Sequence, residues 1–284
     1  HGSASGVTGT AATPAWSTSG EQESDAFGGT VASAGDVNGD GYGDVAVAAP
    51  DYAINNTGKV YVFYGSTNGL SGTAASPAWS DVGGNADDAF GRSAVGAGDV
   101  NGDGYGDLVV GAPYYANSDT GKVYVFHGGA GGLAGTAASP AWSAEGENAG
   151  DAFGWSVGGT GDVNGDGYGD IVAGSQAANS STGKVYVFHG SATGVSGTAA
   201  HPAWSAAGEA AGSGFGVAVA GAGDMNGDGY GDIIVGASPL PGENDAAGKV
   251  YVFRGGPSGI TGTAAGPAWS AVGEGTTSRF GNSV

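Results

Sequence analysis

The nonapeptide Asp36-Val37-Asn38-Gly39-Asp40-Gly41-Tyr42-Gly43-Asp44 carries side-chain oxygens at its positions 1, 3, 5 and 9. Gly41 at position 6 permits a sharp turn, because a left-handed backbone costs glycine little. Position 7 can supply a backbone carbonyl, here that of Tyr42. Hard oxygen donors in a flexible loop suit Ca2+, whereas Mg2+ prefers fewer carboxylates and more retained water. Position 12 is Val47 rather than a glutamate, and a strand pattern comes next, so the loop joins two strands and is not an EF-hand. The same spacing returns as Asp99, Asn101, Asp103, Tyr105 and Asp107, then as Asp162, Asn164, Asp166, Tyr168 and Asp170. It returns once more as Asp224, Asn226, Asp228, Tyr230 and Asp232. Three carboxylates within nine residues repel one another unless a cation joins them. The four loops hold 12 of the 27 acidic residues, and four bound Ca2+ would bring the formal charge from −20 to −12.

The elements that must present these loops also repeat. The loops open 63, 63 and 62 residues apart. Phe-Gly recurs at Phe27, Phe90, Phe153, Phe215 and Phe280, and Gly-Lys-Val-Tyr-Val-Phe at Gly58, Gly121, Gly183 and Gly248. Pro-Ala-Trp recurs with Trp16, Trp79, Trp142, Trp204 and Trp269. Each period reads as four short strands punctuated by Gly, Asn, Asp and Ser; in the first copy these are Thr30 to Ala34, Val45 to Ala49, Lys59 to Phe63 and Ala78 to Val82. The third is apolar on both faces, as a strand packed on both sides must be. No segment keeps a long 3.6-residue apolar period, so no substantial helix is expected. A four-stranded unit of this length, repeated, predicts an all-β chain, a β-propeller of antiparallel blades. The register gives one region over 1–284: a partial blade at 1–26, blades at about 27–89, 90–152, 153–214 and 215–279, and the start of another at 280–284. The terminal pieces lack partner strands, which predicts completion by further repeats or by another chain.

Composition narrows the classes. Glycine supplies 63 of 284 residues, yet no G-X-Y triplet runs through the chain, which excludes collagen. A formal charge of −20 excludes coating of nucleic acid and disfavours an anionic membrane surface. No apolar run of about 18 residues is present to insert into a bilayer. Without cysteine there are no disulfides or thiolate metal sites, and a secreted chain of this kind would be stapled by metal instead.

These words resemble the FG-GAP repeat family, whose blades build the integrin α-subunit propeller and many bacterial surface proteins. Phe90-Gly91 and Gly111-Ala112-Pro113 flank the acidic loop in the family's order. The pattern departs at Ala48-Ala49-Pro50, Gly174-Ser175-Gln176 and Gly236-Ala237-Ser238, all beyond the oxygen donors. The resemblance implies calcium in the loop between strands 1 and 2, a secreted or cell-surface setting, and adhesion or binding rather than catalysis.

In antiparallel blades the acidic loops and the 3–4 loops share one end, and the 2–3 and 4–1 loops the other. The 2–3 loops vary and offer Tyr52, Tyr114 and Tyr115. The position after Phe-Gly also varies, as Gly29, Arg92, Trp155, Val217 and Asn282. Variable loops on a constant scaffold are where recognition is placed, and Arg92 and Trp155 suit a sugar or a peptide, with neutral drift the competing reading. The five repeated tryptophans read as blade packing and the four lysines as solvated strand-start residues. The expected function is therefore a calcium-binding, non-enzymatic binding, adhesion or scaffolding module with a protein or glycan ligand. A lectin using the variable loops and a polysaccharide lyase are the alternatives. No cluster of ionisable groups breaks the repeat in the way a catalytic site does.

Overall fold

The computed structural model describes residues 12–53, 55–239, 247–275 and 278–284. Residues 1–11 of the expected partial blade lie outside these. Strands β1 (Thr30–Gly35), β2 (Asp44–Ala49), β3 (Lys59–Phe63) and β4 (Trp79–Val82) form the first sheet. The second holds β5 (Ser93–Gly98), β6 (Asp107–Ala112), β7 (Lys122–Phe126) and β8 (Trp142–Glu145). The third holds β9 (Ser156–Gly161), β10 (Asp170–Ser175), β11 (Lys184–Phe188) and β12 (Trp204–Ala207). The fourth holds β13 (Phe215–Gly223), β14 (Asp232–Ala237), β15 (Lys249–Phe253) and β16 (Trp269–Val272). Each sheet is a four-stranded antiparallel meander in sequence order, so the chain is all-β with propeller-like blades. Among the described residues helix is confined to α1 (Ala178–Ser181) and one wide turn at Tyr115–Asp119, both in 2–3 loops.

Strand pairing follows the alternation in the sequence. Val60, Tyr61, Val62 and Phe63 are all buried, because β3 is covered on both faces. The innermost strands pack in series, β1 on β5, β5 on β9 and β9 on β13. Small residues allow this approach: a side chain on Gly96 would meet the backbone of Ala34, and one on Gly159 the carbonyl of Gly96. Each first strand ends in a register shift, with Gly35, Gly98, Gly161 and Gly223 at positive φ. A bulge of this kind bends a strand and re-aims the chain beyond it, here into the acidic loop.

The sheets are joined by the residues the repeat keeps. Trp16, Trp79, Trp142 and Trp204 lie 4.9, 5.2, 5.0 and 5.1 Å from Phe63, Phe126, Phe188 and Phe253 of the following sheet. The indole N–H of Trp142 also donates to the Gly197 carbonyl, and that of Trp204 to Gly262. Trp79, Trp142 and Trp204 therefore pack sheet against sheet and Trp16 packs on the first sheet, as their repetition implies, whereas Trp269 is 53% exposed. The Phe-Gly pair of one sheet latches onto the 2–3 hairpin of the sheet before: the Phe153 N–H donates to the Thr120 carbonyl, and Gly121 bridges to Phe153.

The lysines correct the sequence reading. They are mostly covered and ion-paired rather than solvated. Lys59, Lys184 and Lys249 reach Glu21, Glu147 and Glu209 at 2.6, 2.6 and 2.7 Å, and each glutamate also accepts from a buried tyrosine hydroxyl, Tyr61, Tyr186 or Tyr251, at 2.9 Å. The Lys59 hydrogen bond holds the Glu21 carboxyl below the usual carboxylate range. In the second sheet the glutamate position is Gly84, and Lys122 turns instead to Glu145 at 3.4 Å. A side chain at position 84 meets open space. Gly84→Glu should therefore rebuild the Glu–Lys–Tyr contact with Lys122 and Tyr124 and stabilise the protein by about 0.5–1 kcal/mol, from one partly covered ion pair and one less glycine. A thermal melt reads this; a Tm that falls would show that the glutamate is not what organises the lysine.

Candidate metal centre and ligand surface

In the first acidic loop Asp36 acts as an Asx cap: Oδ1 accepts the N–H groups of Gly39 and Asp40 at 2.8 and 3.1 Å, and Oδ2 that of Gly41 at 2.8 Å. Asn38 donates through Nδ2 to Asp40 Oδ2 at 3.0 Å, and Asp40 Oδ1 accepts the Tyr42 N–H at 2.9 Å. Gly39 and Gly41 take φ of 73° and 85°, which the turn requires. The other three loops repeat this pattern through Asp99, Asp162 and Asp224.

The ninth residue has a second role that its spacing does not announce. Asp44, Asp107, Asp170 and Asp232 are buried, and each opens the second strand of its sheet. Asp44 Oδ2 accepts the Val37 N–H at 2.9 Å and Oδ1 the Gly65 N–H at 2.8 Å, which ties the acidic loop to the 3–4 loop. Burial raises the Asp44 carboxyl above its ordinary value, Asp107 to about 6 and Asp170 to about 7, with the two backbone donors offsetting part of that cost.

Among the described residues no three acidic or imidazole groups close around a common point. The structure thus brings the predicted donors into one loop while their oxygens face main-chain N–H groups. The donor set still fits a hard cation. Each loop carries three carboxylates and an amide oxygen, and among the described residues the four ion pairs all use glutamates, leaving the loop aspartates without a cationic partner. Asp36, Asn38, Asp40, Asp44 and the Tyr42 carbonyl are the groups that would hold an ion in the first loop. His189 borders the third loop, with Nδ1 3.2 Å from Asn164 Nδ2; burial lowers its imidazole. The position after Val-Tyr-Val-Phe, which holds Tyr64, His127, His189 and Arg254, was the available signal.

The opposite end splits the candidate ligand residues. Arg92 lies over the Trp155 ring at 4.4 Å, and Tyr114 meets the same ring edge-on at 6.2 Å. Arg92 and Trp155 line a cavity of about 390 Å³ where the innermost strands begin, together with Thr30, Ser93, Ser156 and Val217. The variable position after Phe-Gly therefore converges from successive sheets onto one mouth. Tyr52 and Tyr115 do not join it: they flank Lys59 and Lys122 at 4.9 and 4.5 Å.

The model of the FG-GAP repeat matches residues 27–63, 90–126, 153–188 and 215–253. Among curated proteins the chain is similar to integrin alpha-6 of Gallus gallus, 36% identical over 128 residues, which is 44% of this chain and 11% of the relative. It is similar to integrin alpha-7 of Homo sapiens, 36% identical over 146 residues, 50% of this chain and 11% of the relative. It is also similar to integrin alpha-IIb of Mus musculus, 40% identical over 104 residues, 35% of this chain and 10% of the relative. The matched segments span about a tenth of the length of each of these relatives.

Proposed function

The chain belongs to the FG-GAP repeat family, and from that membership we propose that it is an extracellular, calcium-binding propeller segment that serves as a non-enzymatic binding or adhesion module. The observation that carries this reading is the fourfold acidic loop at one end of the sheets, whose carboxylates lack a cationic partner among the described residues. Similarity to integrin α-subunits supports a protein partner. Calcium would offset two of the three negative charges of each loop and tie the first strand of a sheet to the second. The chain's own residues would orient it: Asp36 fixes the turn through three N–H bonds, and Asp44 anchors the loop to the sheet.

Modules of this kind bind Ca2+ with Kd of about 10⁻⁴–10⁻³ M, so millimolar calcium stabilises by roughly 1 kcal/mol per site through linkage. Excess EDTA should lower the Tm, and elemental analysis of the calcium-equilibrated protein should find about four ions per chain. An unchanged melt with no calcium bound would overturn the proposal.

We place the partner surface at the mouth lined by Arg92 and Trp155, because the repeat loses its symmetry there. A carbohydrate ligand is the second reading, favoured by Trp155, which Tyr114 meets edge-on and which lines the cavity together with Ser93 and Ser156. A glycan array separates it from a protein partner.

A further inference from the structure

Neighbouring acidic loops are stitched together. The N–H of Gly106, position 8 of the second loop, donates to the Asp36 carbonyl, position 1 of the first, at 2.7 Å. Gly169 donates to Asp99 at 2.8 Å and Gly231 to Asp162 at 2.7 Å. A ring reinforces each stitch. Tyr105 lies over Gly39 so closely that a methyl there would sit 2.5 Å from its Cε1; Tyr168 covers Gly102 and Tyr230 covers Gly165 in the same way, at 2.6 Å each. Gly39, Gly102 and Gly165 are the residues whose N–H groups are held by the first aspartate of their own loops. The position-7 tyrosine of one loop thus braces the position-4 turn of the loop before it. The next sheet's 3–4 loop adds a third tie, with Gly129, Ser191 and Gly256 donating to Val37, Val100 and Val163 at 3.0, 3.1 and 3.0 Å.

We infer that Tyr105, Tyr168 and Tyr230 are positioning residues that couple adjacent loops, so that calcium fills the four loops cooperatively. The inference rests on the calcium reading above and goes beyond it. Ordering one loop fixes its position-1 carbonyl and position-4 glycine. Those two groups hold positions 7 and 8 of the next loop, which include a donor carbonyl and the residue before the buried aspartate. Linkage then requires that each loop raise its neighbour's affinity by the factor it receives. Electrostatics work the other way, since each ion bound reduces the negative charge that attracts the next. The coupling is therefore to be measured at about 0.15 M KCl, where the Debye length is about 8 Å and charges on separate loops are screened.

The test exploits the division of each tyrosine into two parts. The donor at position 7 is the main-chain carbonyl, whereas the brace is the ring, so Tyr168→Ala removes the brace and keeps the carbonyl. CaCl2 is titrated into the 284-residue chain in competition with a chromophoric chelator. The wild type should give a Hill coefficient clearly above 1, and Tyr168→Ala should bring it toward 1, with near-UV circular dichroism confirming that the variant is folded. Asp103→Asn, which disables the second loop, should weaken binding at the remaining loops by several-fold, a readout that does not depend on the tyrosine variant. Four equal and independent wild-type sites, or a titration equally steep after Tyr168→Ala in a folded variant, would overturn the coupling alone. No calcium uptake at all would overturn both the coupling and the reading beneath it.

Discussion

Phe153→Ala should lower the free energy of unfolding by about 3–5 kcal/mol, the range for truncating a fully buried phenylalanine. Phe153 is 0% exposed and sits in the joint between the second and third sheets. Its ring meets Tyr186 edge-on at 5.1 Å and Phe188 at 6.2 Å, and its buried neighbours include Val123 on one side and Ile171 on the other. Loss of the ring leaves a cavity bounded by two rigid sheets, which cannot collapse to fill it. Trp269→Ala is the contrasting variant, because Trp269 is 53% exposed; it should cost under about 1 kcal/mol. Urea titrations of the two variants decide the matter. Equal, small shifts in midpoint would mean that the Phe-Gly phenylalanine does not hold the joint.

Gly121→Ala should cost about 2–5 kcal/mol although it adds only a methyl group. Gly121 has a φ of 82°, which costs a residue with a Cβ about 1–2 kcal/mol. The methyl would also run into the main-chain N–H and carbonyl of Phe153, and overpacking against a backbone that cannot rotate away adds about 1–3 kcal/mol. Gly28 separates the two contributions. Its φ is 87°, but the space beside it is open, so Gly28→Ala should show the conformational cost alone. If both variants melt together, the crowding at Gly121 has been absorbed by the joint and the close approach of the two sheets is not a constraint.

The first copy's strands were legible to within about a residue, because Val-Tyr-Val-Phe alternation and Gly-Asn-Asp punctuation are local signals, whereas in the fourth copy the first strand already starts at Phe215. The second strand begins one residue early, at Asp44, since the ninth loop residue is at once the loop's last oxygen donor and the first residue to pair. What escaped the sequence lies across the joints. Lys59 finds Glu21 and Lys184 finds Glu147 from 38 and 37 residues away, and no periodicity within a strand points to such a partner. Arg92 and Trp155 could be singled out by their failure to repeat, yet their contact depends on how successive first strands converge. Tyr114 and Tyr115 are adjacent in sequence and share a loop, but one edges Trp155 and the other covers Lys122, a divergence set by the wide turn at Tyr115–Asp119. The acidic loops were the most legible feature, because Asx caps and glycine turns are written in consecutive residues.

The tryptophan joint has a direction. The indole comes from upstream in the chain, from the preceding sheet for Trp79, Trp142 and Trp204, and the phenylalanine from the sheet downstream, so each sheet carries a plug residue on one face and a socket residue on the other. Head-to-tail contacts of this kind are heterologous, and they propagate without regard to how many units are in line. An in-frame duplication of one period would therefore place a correct plug beside a correct socket at both new junctions, whereas an inverted or truncated copy would match neither. Small changes in length are absorbed between the second and third strands, where Asp170 to Gly183 is one residue shorter than Asp107 to Gly121 and Asp232 to Gly248 two residues longer, while the plug and socket residues stay in place. A gene encoding such an array can grow by recombination between its own repeats, since every copy keeps the plug and socket residues at fixed places.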